Sequence, residues 1–332
     1  MSLISRILKA NPSAQVSSVL TGSFTIPSAK GAFYEPPTPR GLFVGGQPVS
    51  NPAVNIDYIE IATTGNAANF GDLTFGAYDC PGVNASTTRA VIGGGQRRVS
   101  NVNAYSNIMD YVTIATTGNA TDFGDRTVTG GQRGSFSNST RGVSGDGQYI
   151  DYVTIASTGN AVDFGDRTVN ADQYCGTGSS TRGLFFGGAV PGAGGGSAYN
   201  VIDYFTIANT GNATDFGDLA YGTYVQGCLS SPTRAVVGGA NYAGVGYDSG
   251  ISYVTIASTG NATNFGNLSS ARGNGAGTSS DIRGIFSGGE GSNGSNVIDY
   301  ITIASTGNAT DFGDLTQQRR AHAAASNAHG GL

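Results

Sequence analysis

Six stretches of the chain share one alternation of apolar and polar positions. They read NIDYIEIATTGNAANFGDL, IMDYVTIATTGNATDFGDR, YIDYVTIASTGNAVDFGDR, VIDYFTIANTGNATDFGDL, GISYVTIASTGNATNFGNL and VIDYITIASTGNATDFGDL. In the VIDYFTIA segment, Ile202 and Tyr204 fall on one face of an extended chain, and Val201, Phe205 and Ile207 on the other. Apolar residues on both faces predict a strand covered on both sides. The Thr-Gly-Asn that follows predicts a hairpin turn, because Gly and Asn accept positive φ at low cost. A second strand then carries one phenylalanine per copy, at Phe70, Phe123, Phe164, Phe216, Phe265 and Phe312.

A second phrase precedes each copy: Arg40-GLFVGG, Arg89-AVIGGG, Arg141-GVSGDG, Arg182-GLFFGG, Arg234-AVVGGA and Arg283-GIFSGG. The repeated tyrosines are Tyr58, Tyr111, Tyr152, Tyr204, Tyr253 and Tyr300, spaced by 53, 41, 52, 49 and 47 residues. From each tyrosine to the next arginine the distance is 31, 30, 30, 30 and 30 residues. From each arginine to its own tyrosine it is 18, 22, 11, 22, 19 and 17. Length variation is therefore confined to one loop per unit. A period near 50 residues is the mark of a propeller or solenoid.

Each unit divides into four strands. Strand B is the Arg-Gly phrase, C is the tyrosine strand and D is the phenylalanine strand. Strand A precedes the next arginine and is built of small residues (GVNAS, GSFSNS, CGTGSS, GCLSS, GAGTSS). Small side chains suit the innermost strand, where blades converge on an axis. The first unit lacks its own A strand, and the AHAAASN near the C-terminus aligns with the missing one. The predicted fold is all-β: a six-bladed propeller with four antiparallel strands per blade over residues 36–332, its C-terminal strand closing the first blade. Strand alternation places the B–C and D–A loops on one face and the TGN turns on the other. Residues 1–35 lie outside the repeat and are expected to form an attachment arm, with Leu3, Ile4, Ile7 and Leu8 on one face.

Composition removes several functions. Charged residues are 12% of the 332, the formal charge is −5, and Lys9 and Lys30 are the only lysines, so a nucleic-acid backbone finds no cationic surface. No run approaches a membrane span. The opening MSLISRILKANPS is too short in apolar residues for a signal peptide. Cys80, Cys175 and Cys228 share one place in the repeat and read as small buried thiols.

Candidate chemistry is sparse. The D strands offer Asp122/Asp125, Asp163/Asp166, Asp215/Asp218 and Asp311/Asp314, but the fifth copy has Asn264/Asn267, so strand-end hydrogen bonding is favoured over calcium. The C-strand aspartates Asp57, Asp110, Asp151, Asp203 and Asp299, with Ser252 as the sixth, are expected to partner the strand-B arginines, which otherwise need backbone carbonyls. His322 and His329 are the only histidines, and no nucleophile or phosphate-loop motif is present. Glu35, Glu60 and Glu290 are the only glutamates, so nothing singles out a glycosidase pair. No catalytic, cofactor or metal residue is assigned. The best contact candidates are loop tyrosines among Gly, Asn and Ser: Tyr105, Tyr199, Tyr242 and Tyr247.

Gly187-Gly188, Tyr204, Phe216 at the usual tryptophan position, and Arg320 with His322 resemble the kelch-type β-propeller over residues 36–332. The chain has no tryptophan, and the Arg–His pair is mostly lost in the other repeats. Kelch-fold copper-radical enzymes need Tyr, Cys and His ligands, a set that two terminal histidines do not supply. The near-verbatim IDYITIASTGNATDFGDL repeats are similar to virion proteins of tailed phages, marine and cyanobacterial ones above all. That resemblance implies a non-enzymatic virion component, assembled in the host cytoplasm and present in several copies. It would contact other capsid or tail proteins through residues 1–35. A glycan- or receptor-binding tip is the alternative, and a glycan hydrolase a further one.

Overall fold

The computed structural model describes residues 38–332, apart from 48–52, 80, 100–101, 132–133, 194–195, 225, 243–244 and 292–293. The expected arm, with Leu3, Ile4, Ile7 and Leu8, and also Cys80, lies outside the described residues. Among them there is no helix.

The two repeated phrases pair as antiparallel strands in six sheets. In blade 4, strands A to D are Cys175–Gly178, Arg182–Ala189, Ala198–Thr206 and Thr214–Asp218, hydrogen-bonded in that order. Blade 3 runs Ser135–Ser137, Arg141–Asp146, Tyr149–Thr154 and Val162–Asp166, and blade 6 runs Ala276–Ser279, Arg283–Ser287, Val297–Thr302 and Thr310–Asp314. Blade 2 (Gly82–Ala85, Arg89–Gly93, Val102–Thr113, Thr121–Gly130) adds the short strands Ala77–Tyr78 and Gln96–Val99. Blade 5 (Gly227–Ser230, Arg234–Tyr242, Gly246–Thr255, Thr263–Asn267) adds Thr223–Tyr224 beside its long B–C hairpin. Blade 1 consists of Arg40–Val44, Asn55–Glu60, Ala68–Asp72 and the C-terminal Ala323–Ser326. The last of these pairs with the first in the register Gly41↔Ser326 to Val44↔Ala323, so the ring closes as the repeat pattern predicts. The fold is a six-bladed β-propeller.

Each blade buries one aromatic pair. Tyr58–Phe70, Tyr111–Phe123, Tyr152–Phe164, Tyr204–Phe216, Tyr253–Phe265 and Tyr300–Phe312 meet edge to face at 5.8–6.1 Å. The strand-B arginine lies over the same tyrosine, 4.3–4.6 Å from its centroid. Its NH1 then donates to the next blade: Arg40 to Ile114 O, Arg89 to Ile155 O, Arg141 to Ile207 O, Arg182 to Ile256 O, Arg234 to Ile303 O and Arg283 to Ile61 O. The cycle is unbroken.

The TGN turn is also a clasp. In blade 4, Gly211 N donates to Phe164 O and Ala213 N to Asp166 O, while Asn212 Oδ1 accepts from Asp166 N, all three on blade 3. The same asparagine bond recurs at all six junctions. The clasp explains the glycine of the FGD phrase. At Gly165, φ is +146° and an added Cβ would sit 2.3 Å from Gly211 O. The neighbouring turn occupies that space, and the D strand bulges there against strand C.

Candidate functional site

The C-strand aspartates are buried, but their partners differ from those the repeat suggested. Because each strand-B arginine is held by its tyrosine and a carbonyl, the aspartate takes a different cation, from the preceding D–A link in four blades and from its own B–C hairpin in blade 2. Asp151 takes Arg126 at 2.9 Å, Asp203 takes Arg167 at 2.8 Å, Asp299 takes Arg272 at 2.8 Å and Asp57 takes Arg319 at 2.6 Å. Asp110 takes Arg97 at 3.7 Å. The guanidinium comes from three places in the chain. Arg126 and Arg167 directly follow FGD, Arg272 and Arg319 stand four residues further on, and Arg97 reaches back from the B–C hairpin of blade 2. A hydroxyl from the D–A link completes each site: Thr74, Thr127, Thr168, Ser269 or Thr316. Unequal offsets of the arginine concealed this equivalence, since the aspartate and the hydroxyl keep their register in the repeat and the guanidinium does not.

The D-strand aspartates do not converge. Asp122, Asp163, Asp215 and Asp311 are exposed along the outer strands, and among the described residues no group of three or more His, Cys, Asp or Glu gathers to hold a metal. Their partners in the FGD phrase serve the clasp through backbone N–H. Cys175 and Cys228 lie in A strands, and the Cys228 thiol donates to Gly176 O at 2.9 Å.

The A strands surround an axial cavity of about 110 Å³. Hydroxyls bond across neighbouring blades here: Ser137 Oγ to Ala85 O, Ser230 Oγ to Gly178 O, Ser279 Oγ to Ser230 O and Ser326 Oγ to Ser279 O. The final residues cross this ring. His329 Nε2 donates to Ala85 O at 2.9 Å, its Nδ1 accepts from Gly331 N, and Gly330 N donates to Ser230 O. Blades 1, 2 and 5 are thereby tied at the axis. His322, at the start of the closing strand, is buried against Ser287 Oγ at 2.9 Å.

Burial lowers the affinity of both imidazoles for a proton, and the Arg319 charge lowers that of His322 further. Below the ordinary value of 6.5 the unfolded chain binds protons that the folded chain refuses. Stability is therefore full above that pH and falls as pH drops through it, by at most about 1.4 kcal/mol per pH unit for each histidine. Melting followed from about pH 7.5 to about pH 5.5 checks this, and His329→Gln should flatten the dependence.

The loop face breaks the sixfold symmetry. Tyr247 donates to Glu290, which also pairs with Arg320 and accepts from Asn274, while Arg320 reaches Gln47 Oε1. This cluster joins loops of blades 1, 5 and 6. Burial pushes the Glu290 carboxyl up, but the three hydrogen bonds outweigh it and leave the group below its usual value. Burial and the Glu290 bond push the Tyr247 phenol up to about 12. Tyr242, on the opposite face of the same hairpin, is likewise pushed up to about 12 by burial and its bond to Asp248, and Tyr221 meets it edge to face at 5.5 Å. Tyr105 is exposed, with its hydroxyl 3.4 Å from Asp79 Oδ2, and Tyr199 packs on the blade 3 core. The four predicted tyrosines thus fall in four different settings. Tyr221, which is 68% exposed in a D–A link, was missed because only the B–C loops vary in length.

No protein-family model and no curated protein matches the chain. Among solved structures, that of YjhT superposes with a TM-score of 0.62 at 9% identity, covering 81% of this chain and 96% of that one. The likeness is one of fold.

Proposed function

We propose that the protein is a non-enzymatic structural component of a tailed-phage particle, attached to capsid or tail through residues 1–35 and presenting its loop face outward. The observation that carries the platform reading is the use made of the repeated chemistry. Each repeated arginine and tyrosine, and every C-strand aspartate, is spent on holding one blade to itself or to the next. Asymmetry is concentrated on one face, in loops of unequal length, where recognition residues are disproportionately found. The virion setting rests on the repeat's resemblance to phage structural proteins, and the blade pattern on its resemblance to kelch repeats.

Antibody labelling of intact particles tests the assignment. Labelling at a discrete capsid or tail position, lost from particles carrying a chain without residues 1–35, is the expected result. A protein absent from purified particles overturns it. The glycan-binding tip is the second reading, favoured by the paired rings of Tyr221 and Tyr242.

A further inference from the structure

One blade junction lacks the buried cation, anion and link hydroxyl found at the other five. Thr223 stands four residues after the leucine of the FGDL phrase, the place taken by Arg272 and Arg319. Ala220 stands where Thr74, Thr127, Thr168, Ser269 and Thr316 supply their hydroxyls. Ser252 replaces the aspartate. The cation, the hydroxyl and the anion are thus lost together between blades 4 and 5, and among the described residues no other ion pair takes their place.

A cavity of about 30 Å³ remains, and Thr223, Ser252, Gln226 and Tyr242 are among the residues that line it. Thr223 is 5% exposed, and its Oγ1 has no hydrogen-bond partner. A buried hydroxyl left unpaired is costly and calls for a missing partner. The space admits a water or the hydroxymethyl arm of a larger molecule. Tyr221 and Tyr242 form an aromatic corner beside it. No charged side chain lines the cavity, and Asp248, whose carboxylate bonds Tyr242 and accepts from Gly250 N, places a negative charge beside it.

We infer that this junction is a binding subsite for a neutral saccharide, its ring against Tyr221 and a hydroxyl inserted to bond Thr223. The exposed face of one aromatic ring with a few fixed polar groups suits a pyranose, which presents an apolar C–H face and a rim of hydroxyls. The inference rests on the loop face being the recognition surface, and it names the ligand class taken there.

Calorimetric titration of the full chain with methyl glucoside, methyl galactoside, N-acetylglucosamine and glucuronate tests it. One or more neutral sugars should bind with a dissociation constant near about 1 mM, as a single subsite allows. Glucuronate should bind at least about tenfold more weakly than methyl glucoside, given Asp248. Tyr221→Ala, at an exposed position, and the isosteric Thr223→Val should each weaken binding about tenfold, the scale of one lost stacking or hydrogen-bond contact. The double variant Thr223→Arg/Ser252→Asp rebuilds the ion pair, and it should keep its melting temperature while losing the sugar. Binding undiminished in all three variants overturns the subsite but leaves the platform reading, which particle labelling tests separately. Absence of any sugar binding marks a water-filled junction only and overturns the inference. Glucuronate binding as tightly as the neutral sugars overturns it as well.

Discussion

Removal of residues 318–332 is expected to abolish cooperative folding. The deletion takes away the inner strand of blade 1, exposing the edge of Arg40–Val44, whose Leu42, Phe43 and Val44 are fully buried. It also removes Arg319, leaving Asp57 buried without its cation, and it removes the His329 and Gly330 bonds at the axis. Breaking a buried ion pair from one side alone costs about 3–5 kcal/mol. With a lost strand added, the sum exceeds about 5 kcal/mol, the lower end of ordinary domain stability. Circular dichroism on heating should show no cooperative transition. A deletion variant melting within a few degrees of the full chain would contradict the closure.

The second large effect belongs to Asp203→Ala. Asp203 is fully buried and receives Arg167 Nε and the Thr168 hydroxyl. Its removal leaves the buried Arg167 guanidinium without a counter-charge, held by Gly187 O at 3.3 Å and the face of Tyr174 at 4.2 Å. The expected loss is about 3–5 kcal/mol, read as a lowered urea midpoint. Arg167→Met/Asp203→Leu should recover most of it, because an apolar pair carries no uncompensated charge. The junction of blades 4 and 5 already shows the ring accommodating the loss of both members. A loss below about 1 kcal/mol in the single variant would mean that the pair is not desolvated.

Blade count, strand order and closure were legible because they follow from periodicity, and a two-residue alternation fixes which side chains face inward. Tyr204 and Phe216 could be identified as anchors by recurrence alone. The partner of Asp203 could not, because Arg167 and Arg319 reach equivalent places from different offsets in linkers of unequal length. The clasp made by Asn212 was hidden for another reason. A TGN turn is explained locally by its own φ angles, and nothing in one copy says that it also bonds the preceding blade. Loop length gives no signal at Tyr221, whose link is set apart by the simultaneous loss of three groups that recur at the other five junctions.

The pairing of the first strand with the last has a mechanical side. A pull transmitted through residues before Thr38 enters the propeller at Arg40–Val44, which is gripped by Asn55–Glu60 on one flank and Ala323–Ser326 on the other. A tether at that end would load two hydrogen-bond ladders together instead of peeling a free edge. If the proposed attachment holds, the seam that closes the ring would also bear its tension.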